Sequence, residues 1–391
     1  MKVDRINRFN PNRLRSARLY EGLTLVELAT QTGVSKQMIS QYENGKSVPG
    51  LETLMRIMGV LGFPREYFYL PDNDSVFIGP TFFRASVTAN KLIKDSQIEK
   101  LKGLSEGYSM LEEYIDFPKL NLPNLNISGL DRIDIERYAE ETREYWGLGQ
   151  EPINNVVSLM EKNGIIISSL ETTSNKVDAF SHSQTVNGQE RCFIILGNDK
   201  KSAVRRQFDA AHELAHLVMH NGSISLDEIS KDEYKEMERQ ADSFAASFLL
   251  PRTTFIKDLV YPSKLDFYVE LKKKWRVSIG AMIVRAFHLE VISYNQYQYL
   301  MRQMSTKGWR TKEPLDDVLT VPEPTLLRRA VDMLLINNVL KAKDILAKLR
   351  LTQSKAETLL NLPKGKLIEL ENTEEKVVQL NLRASNYREG T

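Results

Sequence analysis

The chain has 391 residues, 42% of them hydrophobic and 27% charged, with a formal net charge of +2. That length exceeds what one core usually spans, so two or three domains are expected, and the apolar content excludes disorder as the main state. The single cysteine, Cys192, excludes an intramolecular disulfide, and no run approaches the roughly 20 apolar residues of a membrane-spanning helix. The opening MKVDRINRFN lacks the apolar stretch of a signal peptide, so the cytoplasm is the expected compartment. The small net charge averages over unlike parts. Residues 1–70 hold ten Lys and Arg against six Asp and Glu, a balance of +4, which leaves −2 for the remainder.

Residues 11–70 read as short helices separated by turns. In NRLRSARLYEGLT, Leu14, Ala17 and Leu19 form an apolar stripe and Gly22 stops the helix. Thr24 caps LVELATQTG, with Glu27 three residues on to complete a capping box, and Gly33 ends that helix. Ser35 then caps KQMISQYE, which turns Met38, Ile39 and Tyr42 inward, and ENGK forms the exit. Two short helices joined by a tight glycine turn make a helix-turn-helix, whose second helix can lie in a major groove. PGLETLMRIMGVLGFPREYFY supplies a fourth and a fifth helix to close the core.

The stretch LTLVELATQTGVSKQMISQYENGKSVPGLETLMRI resembles the Cro and phage-repressor (XRE) type of helix-turn-helix domain. The resemblance implies that Ser35, Lys36, Gln37, Ser40 and Gln41 project from the recognition helix towards bases and phosphates of a double-stranded DNA operator. Glutamine can pair with adenine bidentately, and lysine can reach guanine or a phosphate. One departure is Leu25, which stands where some phage repressors place a phosphate-binding glutamine. Such domains usually bind paired half-sites, so the resemblance also implies a homodimer.

LPDNDSVFIGP, rich in turn-forming residues, reads as a boundary, with residues 71–80 as linker. Beyond it, ANKLIKDSQIEKLKGLSEGYSMLEEYIDF, DIERYAEETREYWGLG and INNVVSLMEKNG read as helices, while IIISSL and RCFIILG read as buried strands. This part is therefore α+β, and no internal repeat is evident. Apolar neighbours make Cys192 a core residue rather than a nucleophile.

AAHELAHLVMH, residues 210–220, carries three of the five histidines. On a helix His212 and His216 sit one turn apart on the same face, the spacing that lets two imidazoles grip one metal ion. Glu213 stands where its carboxylate reaches a water on that ion, the HExxH arrangement of a zinc site with its general base. Position 222 is Gly, so no third histidine completes the set downstream, and His220 joins only if the helix bends. In MERQADSFAASFLLP, however, Glu238 and Asp242 share a helical face continued by Ala245, Ala246 and Leu249. Small alanines let two helices approach, so Glu238 can be the third ligand while Asp242 accepts a hydrogen bond from a ligating histidine. His182, His220 and His288 are all conceivable oxyanion donors, and the residues do not choose among them.

AAHELAHLVMH with ERQADSFAASFLLP resembles the ImmA/IrrE family of zinc peptidases, as do the flanks YWGLGQEPINNVVSLMEKNGIIIS, LKKKWRVSIGAMIVRAFHLEVIS and KGWRTKEP. That resemblance implies a zincin-like α+β metallopeptidase domain with His212, His216 and Glu238 as Zn2+ ligands and Glu213 as catalytic base. The family commonly has Asn at the position of Asp242.

After WRTKEPLDDVLTVPEP, the helices TLLRRAVDMLLINN, KAKDILAKLR and TQSKAETLLNLP form a small cluster. It faintly resembles another helix-turn-helix, and a helical docking or dimerisation cap fits as well. The expected fold is thus multidomain and mainly α: a five-helix DNA-binding unit over 1–70, the linker 71–80, a metallopeptidase domain over 81–315 and a helical region over 316–391. The expected function is a DNA-binding regulator with a gated zinc endopeptidase acting on a repressor or partner protein. The alternative is an autoregulating repressor or antitoxin, paired with a toxin, whose zinc domain is a sensor or a platform for partner proteins. No membrane attachment is expected.

Overall fold

A computed structural model of the chain describes residues 8–72, 77–83, 91–170, 179–197, 202–220 and 230–368. The molecule is mainly helical, around a small mixed sheet.

Its N-terminal unit holds α1 (Pro11–Tyr20), α2 (Leu25–Thr32), α3 (Lys36–Glu43) and α4 (Leu51–Leu61). The expected fifth helix is a single 3-10 turn, Arg65–Tyr69. Local chemistry sets each boundary. The Thr24 hydroxyl accepts from the Glu27 N–H at 3.1 Å while Glu27 accepts from the Thr24 N–H at 2.7 Å, and Ser35 accepts from the Met38 N–H. Gly33 ends α2 in the left-handed region at φ 65°. Leu14, Leu28, Ile39, Ile57 and Leu61 are fully buried between the helices. The buried Arg18 guanidinium grips both carboxylate oxygens of Glu43, at 2.6 and 2.8 Å, and so ties α1 to the end of α3.

The stretch expected to be a linker runs from residue 77 into strand β1 (Phe77–Phe83), while 73–76 lie outside the described residues. Next come α5 (Lys91–Glu112), α6 (Arg132–Tyr145), α7 (Val156–Lys162) and the strands β2 (Ile165–Leu170), β3 (Ala179–Val186) and β4 (Gln189–Gly197). Gly164 makes the turn into β2 possible, since a Cβ there would stand 2.3 Å from the Lys119 carbonyl oxygen. Asn187 and Gly188, both at positive φ, close the β3–β4 hairpin. The sheet order is β1-β3-β4-β2, with β2 parallel to β4 and the other pairs antiparallel.

Both faces of this sheet are covered, and alternate residues serve two cores. Ile165, Ile167, Cys192, Ile194 and Leu196 face a core built with α8 (Ala203–Met219) and α9 (Lys231–Leu249). This core continues through α10 (Arg252–Asp258), α11 (Phe267–Trp275), α12 (Ile279–His288) and α13 (Tyr294–Thr306). Ile166, Leu170, Phe193 and Ile195 face α5 together with α14 (Leu326–Ile336), α15 (Ala342–Leu349) and α16 (Gln353–Leu359). The period of two along the strands places the C-terminal helices on the sheet's second face.

One turn occurs three times. Between α2 and α3, α11 and α12, and α15 and α16, a left-handed residue (Gly33, Arg276, Arg350) is followed by an apolar one (Val34, Val277, Leu351) and then by Ser or Thr at the next N-cap. No repeat is evident in the sequence because arginine twice takes the conformation that glycine usually marks. Only the first unit leaves its second helix facing outward. In α16 the Leu359 carbonyl accepts from Ser168 of β2 at 3.0 Å, and Lys355 reaches into the N-terminal unit. The C-terminal cluster is therefore a docking layer.

Candidate metal centre

Helix α8 runs along the first face of the sheet and is buried nearly all round. His212 and His216, four residues apart, present their Nε2 atoms to the same point, 3.1 Å from each other. Helix α9 begins at a Ser230–Glu233 capping box, upstream of the run singled out in the sequence. It lays Glu238 opposite the histidines, with Oε2 3.5 Å from His212 Nε2 and Oε1 3.4 Å from His216 Nε2. Ala241 and Ala245, three and seven residues after Glu238, are fully buried on the same side of α9 and keep the two helices close.

These separations fit a metal. A tetrahedral zinc with bonds of about 2.0–2.1 Å holds its donor atoms about 3.3 Å apart. His212 Nδ1 lies 2.8 Å from Asp242 Oδ1 and donates to it, which leaves the Nε2 lone pair for an ion. Glu213 makes the same point in another way. It is 1% exposed, and both its carboxylate oxygens lack a hydrogen-bond partner. A buried carboxylate in that state is costly unless something polar or cationic shares the space. Among the described residues, His212, His216 and Glu238 form the group able to hold a metal ion.

The electrostatics follow from burial. Desolvation pushes the Glu213 carboxyl above its usual range, against the pull of His216 and His212. For Glu238 burial works in the same direction, but hydrogen bonds to His212 and His216 outweigh it and hold this carboxyl well below the usual range. His220, at the C-terminal end of α8, is not a third histidine of the cluster. Its Nδ1 meets His216 Nδ1 at 2.9 Å and its Nε2 meets Gln240 Oε1 at 3.1 Å. Burial, then the neighbouring His216, hold its imidazole down to about 4.

Sequence reasoning missed Gln240 and the neighbourhood supplied by β3, where Ser181 and His182 are fully buried. The spacing Glu236–Gln240, parallel to His216–His220, was a signal for the first. The second had only the Asn187–Gly188 hairpin to mark it. His288 sits half-buried at the end of α12 beside Phe287. Cys192 is buried, with Sγ 3.2 Å from Ser183 Oγ, and burial pushes its thiol up to about 12, as a core residue requires.

In the N-terminal unit Ser35, Lys36 and Gln37 are exposed, and Ser40 and Gln41 are half-buried one turn further along α3. Comparison with protein families places a helix-turn-helix domain over residues 14–68 and an IrrE N-terminal-like domain over residues 160–287. The chain is an XRE-type helix-turn-helix unit fused to an ImmA/IrrE-type peptidase-like domain. No curated protein matches it. The fusion is thus a DNA-binding regulator that carries a peptidase-like domain, and the candidate metal cluster lies inside the second matched region. No helix among its described residues is long and apolar enough to cross a membrane.

Proposed function

We propose that the fusion protein is a transcription regulator with a gated zinc endopeptidase, which cuts a repressor or another partner protein and so changes transcription at its own operator. The observation that carries this reading is the convergence of two imidazoles and one carboxylate beside a second, buried carboxylate without a partner. A purely structural metal site has no use for that second group.

His212, His216 and Glu238 hold the ion. Zinc, when bound, supplies a Lewis acid for a water molecule and for the scissile carbonyl. Glu213 takes the proton of the attacking water and delivers it to the leaving amine. Its raised affinity for protons suits both steps. Asp242 keeps His212 in the tautomer that points Nε2 at the ion. On the DNA side, Ser35, Lys36, Gln37, Ser40 and Gln41 read the operator from α3, with two copies of the chain on paired half-sites.

Burial of the ligands favours gating: His212 is 0% exposed and His216 3%, so a peptide reaches them only after local rearrangement. The same burial supports a second reading, in which the domain is a zinc-holding sensor or a platform for a toxin or other partner, without turnover.

Labelling of new protein N-termini in cells expressing either the wild type or Glu213→Gln separates the two. The mutant is expected to keep its zinc and lose every cleavage that depends on the protein, whereas His216→Ala loses zinc and cleavage together. Identical N-termini in wild-type and Glu213→Gln cells would remove the peptidase and leave the sensor.

A further inference from the structure

The two metal-facing histidines are oriented by different means. His212 has the carboxylate of Asp242 behind it. Behind His216 stands a neutral side chain, His220, and behind that an amide. We propose that His220, held by Gln240, is a positioning residue of the metal centre, which fixes the ring angle and tautomer of His216 so that Nε2 faces the ion. This inference rests on the zinc-binding reading above.

The direction of each hydrogen bond follows from the outside inwards. Arg239 donates to both carboxylate oxygens of Glu236, at 3.0 and 2.7 Å, and holds that side chain in place. Gln240 Nε2 donates to Glu236 Oε1 at 3.2 Å, which turns the amide oxygen of Gln240 towards His220. An amide oxygen only accepts, so His220 Nε2 carries the hydrogen. A neutral imidazole with its hydrogen on Nε2 has its lone pair on Nδ1, and there it meets His216 Nδ1 at 2.9 Å. His216 therefore donates from Nδ1 and keeps its own lone pair on Nε2, the atom 3.4 Å from Glu238 Oε1. Every partner in this chain is buried or half-buried up to Gln240, so water has little access to replace a missing link.

A neutral relay also limits charge. Glu238, Asp242 and Glu213 already bring three carboxylates to one cation. A fourth behind His216 would add repulsion in a site with little water to screen it. Histidine supplies the acceptor without the charge.

The ordinary reading of His220 is a packed residue at the end of α8, where its N–H donates to the His216 carbonyl at 3.2 Å. Zinc affinity separates that role from positioning. Full-length protein is stripped of metal and titrated with zinc against a chromophoric chelator, alongside thermal unfolding of the metal-free form. His220→Phe keeps the ring but removes both nitrogens, and it is expected to weaken zinc binding about 10- to 100-fold. His220→Asn places an oxygen near the position of Nδ1 and is expected to restore most of the affinity. Gln240→Leu leaves the ring in place without its anchor and is expected to weaken binding several-fold, which covers the case in which His220→Phe does not fold. Affinity within twofold of wild type in His220→Phe, or His220→Asn as weak as His220→Phe, overturns the proposal. A wild-type protein that takes up no zinc overturns the zinc reading itself, and the relay with it.

Discussion

Asp242 is the most exposed of the residues around the metal cluster: 52% of its side chain is open to solvent, yet its Oδ1 stops 2.8 Å from His212 Nδ1. An exposed carboxylate contributes little to the stability of the fold, so its value lies in the histidine it orients. Asp242→Ala is accordingly expected to leave metal-free unfolding nearly unchanged while zinc affinity drops about 10- to 100-fold in a chelator competition. Asp242→Asn retains an oxygen acceptor, the residue the resemblance leads one to expect there, and loses less. Equal affinity in wild type and Asp242→Ala would show that His212 needs no help. Glu213 is the opposite kind of residue, buried and unpartnered, and its cost to the fold is explained only by what it does to a bound molecule.

The metal cluster depends on the spacing between two helices. Glu238, Ala241, Asp242 and Ala245 line one side of α9, and the fully buried Ala241 and Ala245 set how near that side comes to α8. On the rest of α9, Phe244 and Phe248 stack at 5.8 Å in the same core, so the helix cannot shift without moving them. A larger side chain in the stripe would force the helices apart. Ala245→Leu is expected to cost about 1–3 kcal/mol of stability, read by denaturant unfolding, and to weaken zinc binding because Glu238 moves away from the imidazoles. Zinc affinity that survives a measured loss of stability would mean that α9 adapts without displacing its ligand. The repeated helix-turn-helix element makes a complementary point. Three units share one turn geometry, but exposure of the second helix, decided by what packs on it, leaves only α3 free to meet DNA.

Across the whole molecule, α16 links the DNA-binding unit to the sheet. Its Lys355 pairs with Glu21 and lies over the rings of Phe63 and Tyr20, 4.5 and 5.1 Å from their centroids. Thr352 donates to the Gly62 carbonyl at 3.1 Å, and from α5 Glu106 pairs with Arg13 at 3.2 Å. These contacts are polar or cation–π, a kind of interface that can open without exposing a large apolar core. Loss of the clasp in Lys355→Ala is expected to cost on the order of 1 kcal/mol, seen as roughly fivefold faster amide exchange in Gln353–Leu359 and at the facing end of α1. Unchanged exchange would place the docking energy elsewhere. Since α16 rests on β2, motion of the DNA-binding unit has a mechanical route to the sheet that carries α8 on its other face.

Local information in the sequence determined a great deal here: the capping box at Thr24, the left-handed Gly33, the N-cap Ser35, and the four-residue spacings that put His212 with His216 and Glu238 with Asp242. Each depends on neighbours within one or two turns, which the chain specifies by itself. Other features had no local signature. Strand β3 is polar enough to escape an apolar pattern, Arg276 and Arg350 hide two turns that glycine would have announced, and the tail's helices do not reveal that they cover half of the sheet. Only tertiary packing decided that Glu238 would arrive within 3.5 Å of two imidazoles, and that His220 would stand behind one of them. A helix's own period tells which side chains share a face, whereas the partner of that face is chosen by the burial of every other apolar surface at once.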